Sequence, residues 1–168
     1  MGFRGERAPG VRSVTIEIQL RPVIVSDVDA FFEYQRDPQS NQMAAYPARE
    51  RKAHDAHWAK IMTTESTLVR TIVCEGAVAG HVVSWDGYDG REVGYWLGRG
   101  YWGRGIASRA LGLFLTEEPR RPLVAHVARH NGASRRVLEK FGFVIIAAVG
   151  SQPKPEAEPV SMLTLRLD

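Results

Sequence analysis

The chain of 168 residues holds one cysteine, Cys74, so no disulfide can form within it. Cys74 closes an apolar run that begins at Leu68, where a small buried hydrophobe is expected and a nucleophile is not. Long apolar runs are missing too: no stretch approaches the length that crosses a bilayer. Residues Met1 to Ser13 are rich in Gly and Arg and lack the apolar centre of a secretory leader. Glu6 stands where a myristoylation signal needs Ser or Thr. These absences predict a cytoplasmic protein with no membrane partner and a flexible N-terminal arm over residues 1–13. Excess charge is also small, with 22 basic and 19 acidic residues and a net +3. The basic residues are scattered, which suits a small anionic ligand and gives no reason to expect nucleic acid. His54 and His57 have helical metal-ligand spacing, but no Cys or carboxylate cluster completes them, so no metal is expected.

What is present reads as one domain over residues 14–168, with 44% hydrophobic residues to build its core. Val14 to Leu20 alternates apolar and polar side chains, as a half-buried strand does. Ser26 and Asp27 offer an N-cap for a helix carrying Val28, Phe31 and Phe32, closed by Pro38. Asp37 to Pro47 reads as a loop and Arg49 to Met62 as a second helix. Leu68 to Cys74, Ala77 to Trp85 and Glu92 to Leu97 read as strands joined by short turns, hence antiparallel. Gly103 to Glu117 is predicted helical, with Ile106, Ala110, Leu113 and Phe114 inward. A strand (Pro122 to Ala128), a helix (Asn131 to Phe141) and a strand (Phe143 to Val149) follow, with Gly142 at the C′ position of that helix. Ser151 to Pro159 is a proline-rich loop before a last strand, Val160 to Leu167. The order β-α-α-β-β-β-α-β-α-β-β predicts an α/β (α+β) fold with a mixed sheet of about seven strands.

The segment Glu92 to Ala107 is the most informative part. A strand runs into a glycine-rich turn and the first turn of a helix, so free backbone N–H groups converge where glycines let a phosphate approach. Gly98, Gly100 and Gly103 match the spacing GxGxxG, but antiparallel hairpins precede them where a dinucleotide site needs a βαβ unit. A P-loop fails as well, because Arg104 stands at the lysine position.

Trp102-Gly-Arg-Gly-Ile-Ala107 resembles the acetyl-CoA signature of the GCN5-related N-acetyltransferase (GNAT) superfamily. Gly105 and Ala107 fit its last fixed positions, and Trp102 departs at the first, as in the branch related to ribosomal-protein-alanine N-acetyltransferases (RimJ/RimL-like). Asn131 to Phe143 is similar to that branch's final helix and strand. The resemblance implies a V-shaped splay between the fourth and fifth strands. It implies pantetheine along the backbone of Trp96 and Leu97, diphosphate on the N–H groups of Gly103, Arg104, Gly105, Ile106 and Ala107, and Trp102 among the cofactor-binding residues. Arg104 also suits a solvated position at the helix start. The cosubstrate implied is acetyl-CoA.

Transfer to an amine needs a base, and an α-amino group, with on the order of a tenth neutral at pH 7, asks less of it than lysine does. The resemblance makes Glu92 the candidate base; its alternative is an exposed strand-end carboxylate. Many relatives use a tyrosine acid in the last helix, where this chain has Leu138. The branch's Asn-x-x-Ser is present as Asn131 and Ser134, so Ser134 would assist the departing sulfur and Asn131 would hold pantetheine. Tyr95 and Trp96 are expected on opposite faces of their strand. His126 and His130 flank a strand end, so one of them faces the cleft or both are structural. The acceptor wall is expected at Phe31, Tyr34, Tyr46 and Trp85. Its aromatics suit a small amine or a protein N-terminus better than a polycation. Two other readings remain: an acyl-CoA-binding module without turnover, and a nucleotide-binding oxidoreductase. A homodimer through the C-terminal hairpin fits the family pattern.

Overall fold

The computed structural model describes residues 15–150 and 161–168. The N-terminal arm, Val14, the loop Ser151 to Pro159 and Val160 lie outside the described residues. Seven strands form one sheet, in the order β1-β2-β3-β4-β5-β7-β6. They are β1 (Ile18–Arg21), β2 (Leu68–Cys74), β3 (Ala77–Gly87), β4 (Gly90–Leu97), β5 (Leu123–Ala128), β6 (Val144–Gly150) and β7 (Ser161–Leu167). The turn between β2 and β3 places Glu75 and Gly76 at φ 51° and 79°, the positive pair a two-residue hairpin demands. All neighbours pair antiparallel except β4 and β5, so the mixed sheet expected from the sequence is present.

The helices are α1 (Asp27–Gln35), α2 (Pro38–Ala44), α3 (Arg51–Thr63), α4 (Ile106–Glu117) and α5 (Gly132–Lys140). Three expectations need correction. The segment read as a loop from Asp37 holds α2: Asp37 accepts a hydrogen bond from the Ser40 N–H at 2.9 Å, and Pro38 occupies the first turn. A proline that ends one helix also starts the next well, since its missing N–H has no partner there anyway. Ser26 makes no side-chain cap; Asp27 turns instead to Arg21 and Thr71. In α4 the buried side chains are Ile106, Ala110, Leu111 and Phe114, while Leu113 is 43% exposed. The buried arc runs from Ile106 toward Leu111, and Leu113 falls just past its other edge.

The main core lies between the sheet and α4 and α5, with Ile72, Val82, Leu111, Phe114, Leu138 and Leu165 at its centre. A second cluster on the opposite face packs Val28 and Phe31 of α1 against Trp58 of α3. β4 therefore sends side chains both ways. Arg91, Val93, Tyr95 and Leu97 point to the α4 side, and Glu92 and Trp96 to the α1–α3 side.

Candidate active site

The site is where the sheet fails to stay closed. β4 and β5 share two rungs, Arg91 with Leu123 and Glu92 with Val124, and pairing stops there. From Val93 to Leu97 the β4 edge facing β5 has no strand partner among the described residues. A strand edge of this kind carries unsatisfied N–H and C=O groups, which an amide-bearing chain can pair with. The gap opens toward Gly98, whose N–H bonds the Ala79 carbonyl at 2.9 Å, and a short 3-10 turn over Arg99–Tyr101 leads away. Trp102 donates its indole N–H to the Leu97 carbonyl at 3.2 Å and pins the turn to the strand end.

Gly103 and Gly105 follow with φ of 71° and 72°, a left-handed conformation that costs glycine least. The helix begins at Ile106 and not at Gly103. The free N–H groups thus come from a tight left-handed loop and the first turn of α4 together. Loop and helix end both favour an anion, the second through the dipole. Nothing lies within 4 Å of a Cβ built at Gly103 or Gly105, so the space before them is open.

A cavity of 430 Å³ occupies the gap. Its lining includes Trp96, Leu97, Trp102, Gly103, Gly105, Ile106, Ala107, Asn131 and Ser134, so the two separate motifs meet around one space. Arg104 is exposed and stands outside that lining. Arg136 and Lys140 of α5 do line it, and both cations went unnoticed in the sequence. Ser40, Met43 and Ala44 of α2 form another wall.

Asn131 caps α5 by accepting the Ser134 N–H at 3.0 Å. This fixes the Ser134 hydroxyl 2.8 Å from the Tyr95 hydroxyl on β4. Tyr95 is the residue the sequence did not single out. Burial pushes its phenol up to about 12, against a smaller opposing effect of the Ser134 hydrogen bond, so Tyr95 keeps its proton at neutral pH. Leu138 is buried in the core one turn further along.

A smaller cavity of 100 Å³ lies between β4 and β5 and shares Ala44, Tyr95, Asn131 and Ser134 with the larger one. Val93, Gly94 and His126 continue its lining. Glu92 stands beyond, at the closed end of the V, 9% exposed and with its carboxylate 3.9 Å from His126. Glu92 and Ser134 are thus not in contact; the small cavity separates their surroundings. His130 binds the Gln42 carbonyl at 2.9 Å and ties the start of α5 to α2.

The expected acceptor wall is only partly brought together. Phe31 is fully buried against Trp58, with ring centroids 4.5 Å apart, and belongs to the core. Tyr34 donates to the Val78 carbonyl at 2.7 Å, and burial pushes its phenol up to about 12. Tyr46 is 39% exposed and meets the edge of Trp96 at 6.3 Å. Trp85 packs over Gly94. His54 is fully buried beside Trp58, with ring centroids 6.2 Å apart, while His57 is half-buried.

A family model described as an acetyltransferase (GNAT) domain matches residues 17–144. No curated protein matches the chain by sequence. Among solved structures, the chain is similar to an N-acetyltransferase from Staphylococcus aureus Mu50, at 19% identity and TM-score 0.78 over 90% of this chain and 98% of that one. It is also similar to the microcin C7 self immunity acetyltransferase MccE in complex with acetyl-CoA and AMP, at 16% identity and TM-score 0.72 over 90% and 92%. A third is RimL, a ribosomal α-N-protein acetyltransferase in complex with coenzyme A, at 18% identity and TM-score 0.72 over 89% and 93%.

Proposed function

From the premise that this chain belongs to the GNAT acetyltransferase family, and so is an acyltransferase, we propose that it moves an acetyl group from acetyl-CoA to a primary amine in a ternary complex. The observation that carries this reading is the 430 Å³ cavity, which joins an unpaired strand edge, a left-handed glycine loop and the Ser134–Tyr95 hydroxyl pair. Each part suits one part of the donor. The β4 edge pairs with pantetheine amides. Gly103 to Ala107 take the diphosphate, with Arg136 and Lys140 adding positive charge. Asn131 borders the pantetheine path.

In the reaction the amine nitrogen attacks the thioester carbonyl, a C–N bond forms and the C–S bond breaks. Ser134 gives its proton to the leaving sulfur and recovers one from Tyr95, which takes its own back from solvent water before the next turnover, its high proton affinity favouring the protonated phenol. The ammonium proton leaves through water to Glu92, which releases it to solvent. The acceptor enters from the Trp85, Tyr46 and Trp96 side, which suits a protein N-terminus or a small amine. The test is an unbiased acceptor screen that reads free thiol. We expect turnover with one amine class and a loss of roughly 100-fold in kcat for Ser134→Ala. A chain that binds coenzyme A but turns over no amine is an acyl-CoA-binding module instead.

A further inference from the structure

Asp89, Glu92 and His126 are brought together from the β3–β4 turn, β4 and β5. One ligand-capable atom of each lies within 4.8 Å of the others. His126 Nε2 is 3.6 Å from the Asp89 carboxylate and 3.9 Å from that of Glu92. Neither distance is a hydrogen bond. Three donor atoms therefore lie close together without hydrogen bonding to one another. A tetrahedral zinc ion spaces such donors about 3.4 Å apart, and both distances to the histidine come within about half an ångström of that. Asp89, half-exposed on its turn, has room to close the remainder.

Three further observations point to a cation. Glu92 is 9% exposed, and among the described residues no group donates a hydrogen bond to its carboxylate, so its oxygens are free to take a ligand. Its carboxylate lies where a Cβ at Gly87 would fall, 2.0 Å from Oε1, so residue 87 leaves a cradle only because it has no side chain. Thr164 on β7 stands opposite His126 in register, with its hydroxyl 3.3 Å from Nδ1. A hydrogen bond there orients the ring with Nε2 toward the carboxylates, as the outer partner of a metal-bound histidine does.

We propose that Asp89, Glu92 and His126 bind a divalent first-row transition metal, with zinc the ion this imidazole–carboxylate set suits. Two carboxylates balance the dication, and the fourth position stays open to water. The ion sits at the closed end of the V, beside the cavity that His126 lines. A ligated Glu92 no longer accepts a proton, so zinc inhibits acetyl transfer; this consequence, unlike the binding, rests on the function proposed above.

The test is a cobalt titration of the full, untagged chain followed by its visible d–d absorption. We expect one saturating equivalent, displaced by zinc. His126→Ala and Glu92→Gln should each weaken binding by roughly 100-fold, and Thr164→Val by about tenfold. Coenzyme A calorimetry on the same samples reports that each variant keeps its fold. Absence of cobalt binding at millimolar concentration, or equal affinity in wild type and His126→Ala, overturns the proposal. Failure of the acetyl-transfer reading shows itself separately, as absent thiol release with the cobalt titration unchanged.

Discussion

Glu118 shows how single residues hold the site's frame. It caps the C-terminal end of α4, is fully buried, and receives Arg91 at 2.7 Å, Arg120 at 2.9 Å and the Ser84 hydroxyl. Burial pushes its carboxyl up, but the bonds from Arg120, Ser84 and Arg91 outweigh this and hold it at about 2. A depressed carboxyl stabilises the fold fully above its unfolded value, and that stability drains away as pH falls toward the folded value. The window here runs from about 4.5 down to about 2 and involves about 3 kcal/mol. Arg91 precedes Glu92 and forms one of the two rungs that close the V, so this network also fixes the cleft's hinge end. Glu118→Gln should cost about 3 kcal/mol at neutral pH by leaving Arg91 without a buried counter-charge. It should also flatten the loss of stability between pH 4.5 and 2. Urea denaturation across that range measures both. Ser134 and Asn131 were legible at this scale, because a resemblance and a capping pattern coincide on them. Tyr95 was not. Alternation placed it opposite Trp96, but only the approach of α5 shows that its hydroxyl reaches Ser134.

Elements were legible where one pattern ruled them. The hairpins β2–β3–β4 follow from alternation and turn residues, and α5 from its cap and Gly142, which sits at φ 89°. α2 was missed because polar composition and a proline hid a capped helix that walls the cavity. The glycine loop ends and α4 begins three residues later than the sequence pattern predicts, since nothing in the sequence fixes the sign of φ at Gly103 and Gly105. That loop gives a sharp prediction. Gly105→Val asks a β-branched residue to hold φ near 72°, at a cost of roughly 1–2 kcal/mol. Its side chain meets no protein atom within van der Waals range of Cβ; it enters the space where the diphosphate is expected. Thermal melting should fall by a few degrees, while coenzyme A affinity drops at least about tenfold. Equal affinity in both proteins would place the phosphates elsewhere.

At the scale of the whole molecule, the seven-stranded mixed sheet is as the order of elements implied, and the family match and the solved relatives agree with it. The splay had to come from resemblance, because no local residue pattern announces that two parallel strands part after two rungs. The meeting of Asp89, Glu92 and His126 was equally hidden, since His126 lies 34 positions after Glu92. No helix among the described residues is long and apolar enough to cross a membrane. The cleft is a wedge: two closed rungs at one end, a left-handed glycine loop at the other, and a pair of hydroxyls along it. The most direct measurement is a calorimetric titration of the folded chain with coenzyme A. Saturable one-to-one binding in the micromolar range is the predicted result. No heat of binding up to millimolar coenzyme A, from protein whose melting curve shows it folded, would contradict the account.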